Sequence, residues 1–284
     1  MPRSKYALNW DGYRTTIEEL LSKIEKEDEA LFLRNIYPAA LQLYYDGLIE
    51  NEGYSWKRHS LIVNEIYGAL TRLFGAFYFR NWGEFTIAKI NAREAFLDNR
   101  KDIIEVSLNK DAKLRHLDNM VDEVEEYAKV IRKAMAHYSI DTIIPVASGG
   151  FEPGFIARYL KMEAGFFPLR YSHFAREDKN IMLPSAQPLR DVSGAFNGKN
   201  VLIVDDVFYR GGTLRTVYAF AVKNGSRRVY AALVSINPYR VGDLLERTDA
   251  SFRIGSWLSS RDETSASFEI LEDKTEEKQS AYDL

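Results

Sequence analysis

The chain of 284 residues contains no cysteine. Disulfides, thiolate nucleophiles and cysteine-held metals are therefore excluded. Histidine is scarce as well. The four residues His59, His116, His137 and His173 stand far apart, and zinc would need a ligand spacing that they do not offer. Long apolar runs are missing. The most lipid-like stretch, residues 61–79, carries Asn64, Glu65 and Arg72. Such groups are costly in hydrocarbon, so the stretch reads as a buried helix. The first residues lack the apolar segment of a signal peptide, and a cytoplasmic protein with no membrane partner is expected. An excess of one charge is also lacking: 38 basic residues face 41 acidic ones, for a net charge of −3. That balance exerts no global pull toward nucleic acid or an anionic membrane, and no nucleic-acid partner is expected.

What is present suffices for a core. Hydrophobic residues make up 46% of the chain, an ordinary share for a globular protein. Residues 1–116 read as mostly helical and carry no motif tied to chemistry. Ile17, Leu20, Leu21 and Ile24 recur at helical spacing, and Thr16 with Glu19 forms a capping-box pattern. Residues 31–48 are apolar and aromatic, with Pro38 expected to break or start a helix. Residues 85–90 and 103–108 suit short strands or frayed helix, and the period does not decide between them.

From residue 117 to 260 the pattern changes to alternating strands and helices, which argues for an α/β fold with a parallel sheet. Strands are expected at 142–147, 166–171, 201–204, 229–236 and 252–258, with helices at 154–160 and 214–223. Between them, residues 173–198 hold two prolines, two glycines and little periodicity. A loop that long is often a lid. The last segment, 261–284, is rich in Glu, Asp, Ser and Lys and reads as a solvated or partly disordered tail.

Chemistry concentrates in VLIVDDVFYRGGTL, residues 201–214. A buried strand ends in Asp205 and Asp206, and Gly211, Gly212 and Thr213 open the next helix. Ligands of parallel sheets sit beyond the carboxyl ends of strands. Glycines let the backbone turn tightly, and a helix start favours phosphate. Carboxylates beside it suit ribose hydroxyls or Mg²⁺. Upstream, IIPVASGGFEPGFIA, residues 143–157, repeats the order strand, glycine loop, helix.

Both strings resemble the motifs of the type I phosphoribosyltransferases. The resemblance implies a Rossmann-like, phosphoribosyltransferase-type core with an added, mostly α-helical N-terminal region. It implies Mg²⁺-dependent transfer of ribose 5-phosphate from phosphoribosyl pyrophosphate to a nucleobase or related nitrogen acceptor, with release of pyrophosphate. Asp205 and Asp206 would be the catalytic pair at the ribose hydroxyls and the metal. Arg210, Gly211, Gly212, Thr213 and Leu214 would cradle the 5-phosphate. Ser148, Gly149 and Gly150 would bind pyrophosphate, with Arg170, Arg176 or Lys179 supplying positive charge. Residues 173–198 would be the catalytic lid, and a homodimer is expected. Two departures stand out. Arg210 replaces the family's common Thr, and the first loop lacks the basic residue that many members carry. Arg170 stays evenly divided between a phosphate contact and a structural ion pair. The alternative functions are a regulator sensing phosphoribosyl pyrophosphate or a nucleotide, as the resemblance of residues 207–213 to the pyrimidine operon attenuators suggests, and a non-catalytic protein on the same fold.

Overall fold

A computed structural model describes residues 14–107, 112–113, 121–147, 149–171, 181–208, 212–236, 252–259 and 265–272. The chain opens with β1 (Arg14–Thr15), which pairs antiparallel with β2 (Ala112–Lys113). Between them lie α1 (Ile17–Lys26), α2 (Ala30–Glu50), α3 (Trp56–Tyr78), α4 (Trp82–Leu97) and α5 (Arg100–Val106). The α/β part follows as α6 (Val121–His137), β3 (Thr142–Ala147), α7 (Phe151–Leu160), β4 (Gly165–Phe166) and β5 (Leu169–Arg170). It continues with α8 (Leu189–Phe196), β6 (Asn200–Phe208), α9 (Gly212–Lys223), β7 (Arg228–Ile236), β8 (Phe252–Ser259) and β9 (Ala266–Glu272).

Helix α1 starts where the sequence places it. The Thr16 side chain accepts from the Glu19 N–H, and Glu19 accepts from the Thr16 N–H. Other expectations need correction. Pro38 neither breaks nor starts α2 but lies inside it. Ile36, Tyr37, Ala40 and Leu41 beside it are fully buried, and that burial holds the helix through a lost N–H donor. Of the ambiguous segments 85–90 and 103–108, residues 85–90 and 103–106 are helical, within α4 and α5, and Ser107 is the extended C-cap of α5. The single strand expected at 166–171 is two short ones, β4 and β5. The long loop contains a helix, α8, anchored by Val192, Ala195 and Phe196. The tail is not uniformly solvated, since β9 is a strand within it, with Ser267 and Ile270 buried. Charged neighbours mask its short alternating pattern.

The main sheet runs β4-β3-β6-β7-β9-β8, with β5 also paired to β3. Strands β3 to β7 are parallel, whereas β8 and β9 add antiparallel at one edge. The sheet is buried on both faces, as parallel strands require. Ile143, Leu202, Val204 and Ala232 point to one face, while Ile144, Val201, Ile203 and Ala231 point to the other. Helices α8 and α9 cover the second face. On the first face α6 and α7 lie on the sheet, and α2 and α3 pack onto α7 in the same continuous core. Phe74 of α3 stacks on Phe155 of α7, with ring centroids 5.8 Å apart. At Gly75 a Cβ would overlap the Tyr159 ring, so glycine there lets α3 and α7 approach closely. Among the described residues, no helix is long and apolar enough to cross a membrane.

Candidate functional site

Strand β6 extends past the paired end of β3. Its last bond partner on that side is Val204, opposite Pro145. Asp205 and Asp206 therefore emerge at the carboxyl edge of the sheet, both half-buried. Strand alternation separates them. Leu202 and Val204 face the α7 side, and Asp206 follows their parity. Val201 and Ile203 face α9, and Asp205 follows theirs. The Asp205 Oδ1 accepts the Asp206 N–H at 3.0 Å, which ties the two acids together through the backbone.

The turn from β3 into α7 meets Asp206 directly. A Cβ added at Gly149 would overlap the Asp206 carboxylate. At Gly150 it would overlap the carbonyl oxygen of Val204 and the backbone of Val146. The Gly150 N–H donates to the Val146 carbonyl at 2.7 Å. Gly150 therefore serves by lacking a side chain, because its N–H is already committed. The two glycine-bearing segments that the sequence singled out thus converge on one strand end.

On the other side, α9 begins at Gly212, with Gly212 and Thr213 half-buried. Leu214 packs in the core beneath the helix and is 4% exposed. Its side chain is structural, and only its backbone is available to a ligand. Ser148, Arg210 and Gly211 lie outside the described residues, as do His173, Arg176 and Lys179 of the expected lid.

Arg170 makes the structural ion pair. Its Nε donates to Asp46 at 2.9 Å, and its Nη1 donates to the Ala147 carbonyl at 3.2 Å. It thus clamps the end of β3, one residue before the first loop. Burial raises the Asp46 pKa above its ordinary value, with Arg170 and Gln42 opposing. Sequence reasoning missed Asp46, and no local signal points to a partner 124 residues away.

A second network supports the same turn and was also missed. Glu152, in the first turn of α7, pairs with Arg34 of α2, whose Nη2 donates at 3.0 Å. The Tyr78 hydroxyl donates to Glu152 at 2.5 Å. Arg34 and Glu152 are each 3% exposed. Burial, and next the charge of Glu152, push the Tyr78 hydroxyl well above its ordinary pKa, so it stays a donor. An acid near a helix start is a readable sequence feature, but its burial under α2 is not.

Two acids and two glycine-led helix starts thus lie at the carboxyl edge of a parallel sheet, where ligands of α/β domains bind. Residues 112–250 match the family model described as the phosphoribosyl transferase domain. No curated protein matches the chain. Among solved structures, the chain is similar to a purine phosphoribosyltransferase from Pyrococcus horikoshii Ot3, at 24% identity and TM-score 0.35, covering 41% of this chain and 74% of that one. It is also similar to an adenine phosphoribosyltransferase from Saccharomyces cerevisiae, at 19% identity and TM-score 0.32, covering 43% and 70%. A hypothetical protein from Neisseria gonorrhoeae with bound ppGpp aligns at 20% identity and TM-score 0.34, covering 41% and 69%.

Proposed function

We propose that the chain is a phosphoribosyltransferase that moves ribose 5-phosphate from phosphoribosyl pyrophosphate to a nitrogen acceptor of the nucleobase class. The observation that carries this reading is the Asp206 carboxylate seated against Gly149. It brings the acid pair and the first glycine turn into one pocket edge, and residues 112–250 match the family.

In this reading Asp205 and Asp206 accept hydrogen bonds from the ribose 2- and 3-hydroxyls. Thr213 and the first backbone N–H groups of α9, with Arg210 and Gly211 before them, hold the 5-phosphate. The turn at Ser148, Gly149 and Gly150 lies alongside the pyrophosphate, with Arg170 supporting it. The acceptor nitrogen bonds to ribose C1 as the C1–oxygen bond breaks. The electron pair leaves with pyrophosphate, and the acceptor proton passes to solvent. Positive charge develops on the sugar during this exchange, and the nearby carboxylates stabilise it. Two adjacent carboxylates fit Mg²⁺, which usually takes one or two such ligands together with substrate phosphates. When bound, the ion would neutralise charge on the leaving pyrophosphate.

The test is pyrophosphate release from the donor with Mg²⁺ and a panel of free bases, run on the native chain and on Asp206→Asn. We expect turnover with at least one base, and a loss of about 100-fold or more in the variant with little change in melting temperature. Equal turnover in both proteins, or a native chain that neither binds nor consumes the donor, rejects the reading.

A further inference from the structure

The helical region and the α/β domain enclose a cleft of about 520 Å³. That volume lies within the range of small-molecule sites, roughly 300–1,000 Å³. No residue lining it belongs to the acid pair or to the two glycine turns. Helices α2 and α3 form one wall with Tyr45, Trp56 and Tyr67, and Phe166 and Phe167 form the other. Flat aromatic walls of this kind favour a flat ligand.

Among the described residues, two polar groups of the lining have no hydrogen-bond partner. Tyr67 is 2% exposed, and its hydroxyl is buried and unpaired there. The Oε1 of Gln187 is buried and equally unpaired. Nearby tyrosines differ, since Tyr45 donates to the Pro168 carbonyl at 2.7 Å and Tyr54 to the Leu48 carbonyl at 2.6 Å. Unpaired buried polar groups in a native fold call for a specific explanation. Both side chains line the cleft, and a heterocycle would offer an acceptor to Tyr67 and an N–H to Gln187 once either side chain turns toward it.

The surroundings are positive. The Arg158 guanidinium lies over the Phe166 ring, 5.2 Å from its centroid, and its buried Nε and Nη1 have no acceptor among the described residues. Lys57 and Arg190 stand exposed among the lining residues, with the Arg190 Nε 3.9 Å from Asp191. The one acid of the lining, Asp191, already accepts from the Trp56 indole N–H at 2.9 Å. We propose that this cleft is a second ligand site, for a planar heteroaromatic compound bearing an anionic group, of the nucleoside monophosphate kind. It also has a route to the first site. Tyr45 holds Pro168 at the cleft wall, and the next residue, Asp46, holds Arg170. A ligand seated against Tyr45 would therefore act on the strand that carries Arg170, as an effector.

The experiment is calorimetric titration of the full chain with adenosine and uridine monophosphates, adenine alone and inorganic phosphate alone. Each titration is repeated on the Asp205→Asn/Asp206→Asn double variant, on Ser60→Phe, which fills the cleft, and on Lys57→Glu, which reverses an exposed charge. Melting curves check that each variant folds. We expect saturable monophosphate binding that survives the acid-pair variant and weakens about tenfold in Ser60→Phe and in Lys57→Glu. Base alone and phosphate alone should each bind at least about tenfold more weakly than the monophosphate. Any other pattern overturns the proposal: no saturable binding, binding lost with the acid pair, binding indifferent to both cleft variants, or phosphate alone binding equally well. The acid-pair arm keeps this result separate from the transferase reading, because failure of donor turnover leaves the cleft titration unchanged.

Discussion

The two faces of the sheet are covered to different depths. On one face, among the described residues, α8 and α9 form a single layer, held by Val192, Phe196, Leu214, Val217 and Tyr218. On the other, α7 lies on the sheet and is itself covered by α2 and α3, so Phe151 and Phe155 are fully buried between layers. The difference bears on function because each face leads into one side of the acid pair. Asp205 lies on the α9 side, where the described residues form one layer. The Gly149–Gly150 turn beside Asp206 leads into a helix fixed from both sides. The helical region is thus part of the foundation of that turn.

The strongest way to break this comparison is to remove Arg34. Its partner Glu152 is buried and also accepts from the Tyr78 hydroxyl, so Arg34→Ala would leave a buried carboxylate without this counter-charge. Breaking a buried pair from one side costs about 3–5 kcal/mol, and chemical denaturation should register a loss of that size. The double variant Arg34→Met/Glu152→Met should recover more than half of it, since apolar groups of similar volume replace such pairs at little cost. The loss should also appear as one cooperative transition by probes of both regions. A separate early melting of α1 to α5, with the α/β domain untouched, would mean that the helical region is an appendage after all.

The next effect separates the two glycines. At Gly150 the obstacle to a Cβ is backbone, the Val204 carbonyl and Val146. At Gly149 it is the Asp206 carboxylate, a side chain that can swing away. Overpacking a tight site costs about 1–3 kcal/mol. Gly150→Ala should fall at or above the upper end, and Gly149→Ala at the lower end. Their effects on donor binding should run the other way for the stability each loses. Gly149→Ala displaces an acid, so it should reduce the thermal shift produced by phosphoribosyl pyrophosphate while leaving most stability intact. A Gly149→Ala protein with a native thermal shift would separate Asp206 from the donor.

Much of this layout was legible in the chain. The run VLIV reads as a strand covered on both faces that ends in two acids, and the structure adds that its alternation sends Asp205 and Asp206 to opposite sides. Glycine at 149 and 150 reads as a tight turn, and the overlap with Asp206 and Val204 gives the reason. The rest depended on distant partners. Nothing near Arg170 announces Asp46, and nothing near Glu152 announces Arg34, 118 residues away. Helix α2 hid behind Pro38 because burial outweighed the local penalty. Strand β9 hid in an acidic segment because two buried positions, Ser267 and Ile270, carry little compositional signal. Local chemistry is written locally, whereas the second layer over α7 follows from contacts across more than a hundred residues.

The smallest expected effect sharpens the same comparison through pH. His59, on α3 in the deeper layer, is 5% exposed, and its Nδ1 lies 2.7 Å from the Tyr44 hydroxyl. Burial is the main cause that lowers its pKa below the ordinary 6.5, with Arg58 assisting and Asp102 and Glu105 opposing. The unfolded chain therefore takes up this proton more readily than the folded one. Stability is full above the ordinary imidazole value and falls as pH drops through that value toward the lowered one. Below both values the loss is complete and no longer grows. A glutamine at this position can still bond Tyr44 but does not titrate. Melting curves of native chain and His59→Gln between pH 7.5 and 5.5 should diverge, with the native protein losing more on acidification. Parallel curves would mean that the imidazole is solvated in the folded state and that the layer over α7 is more open at this end than at Phe74 and Phe155.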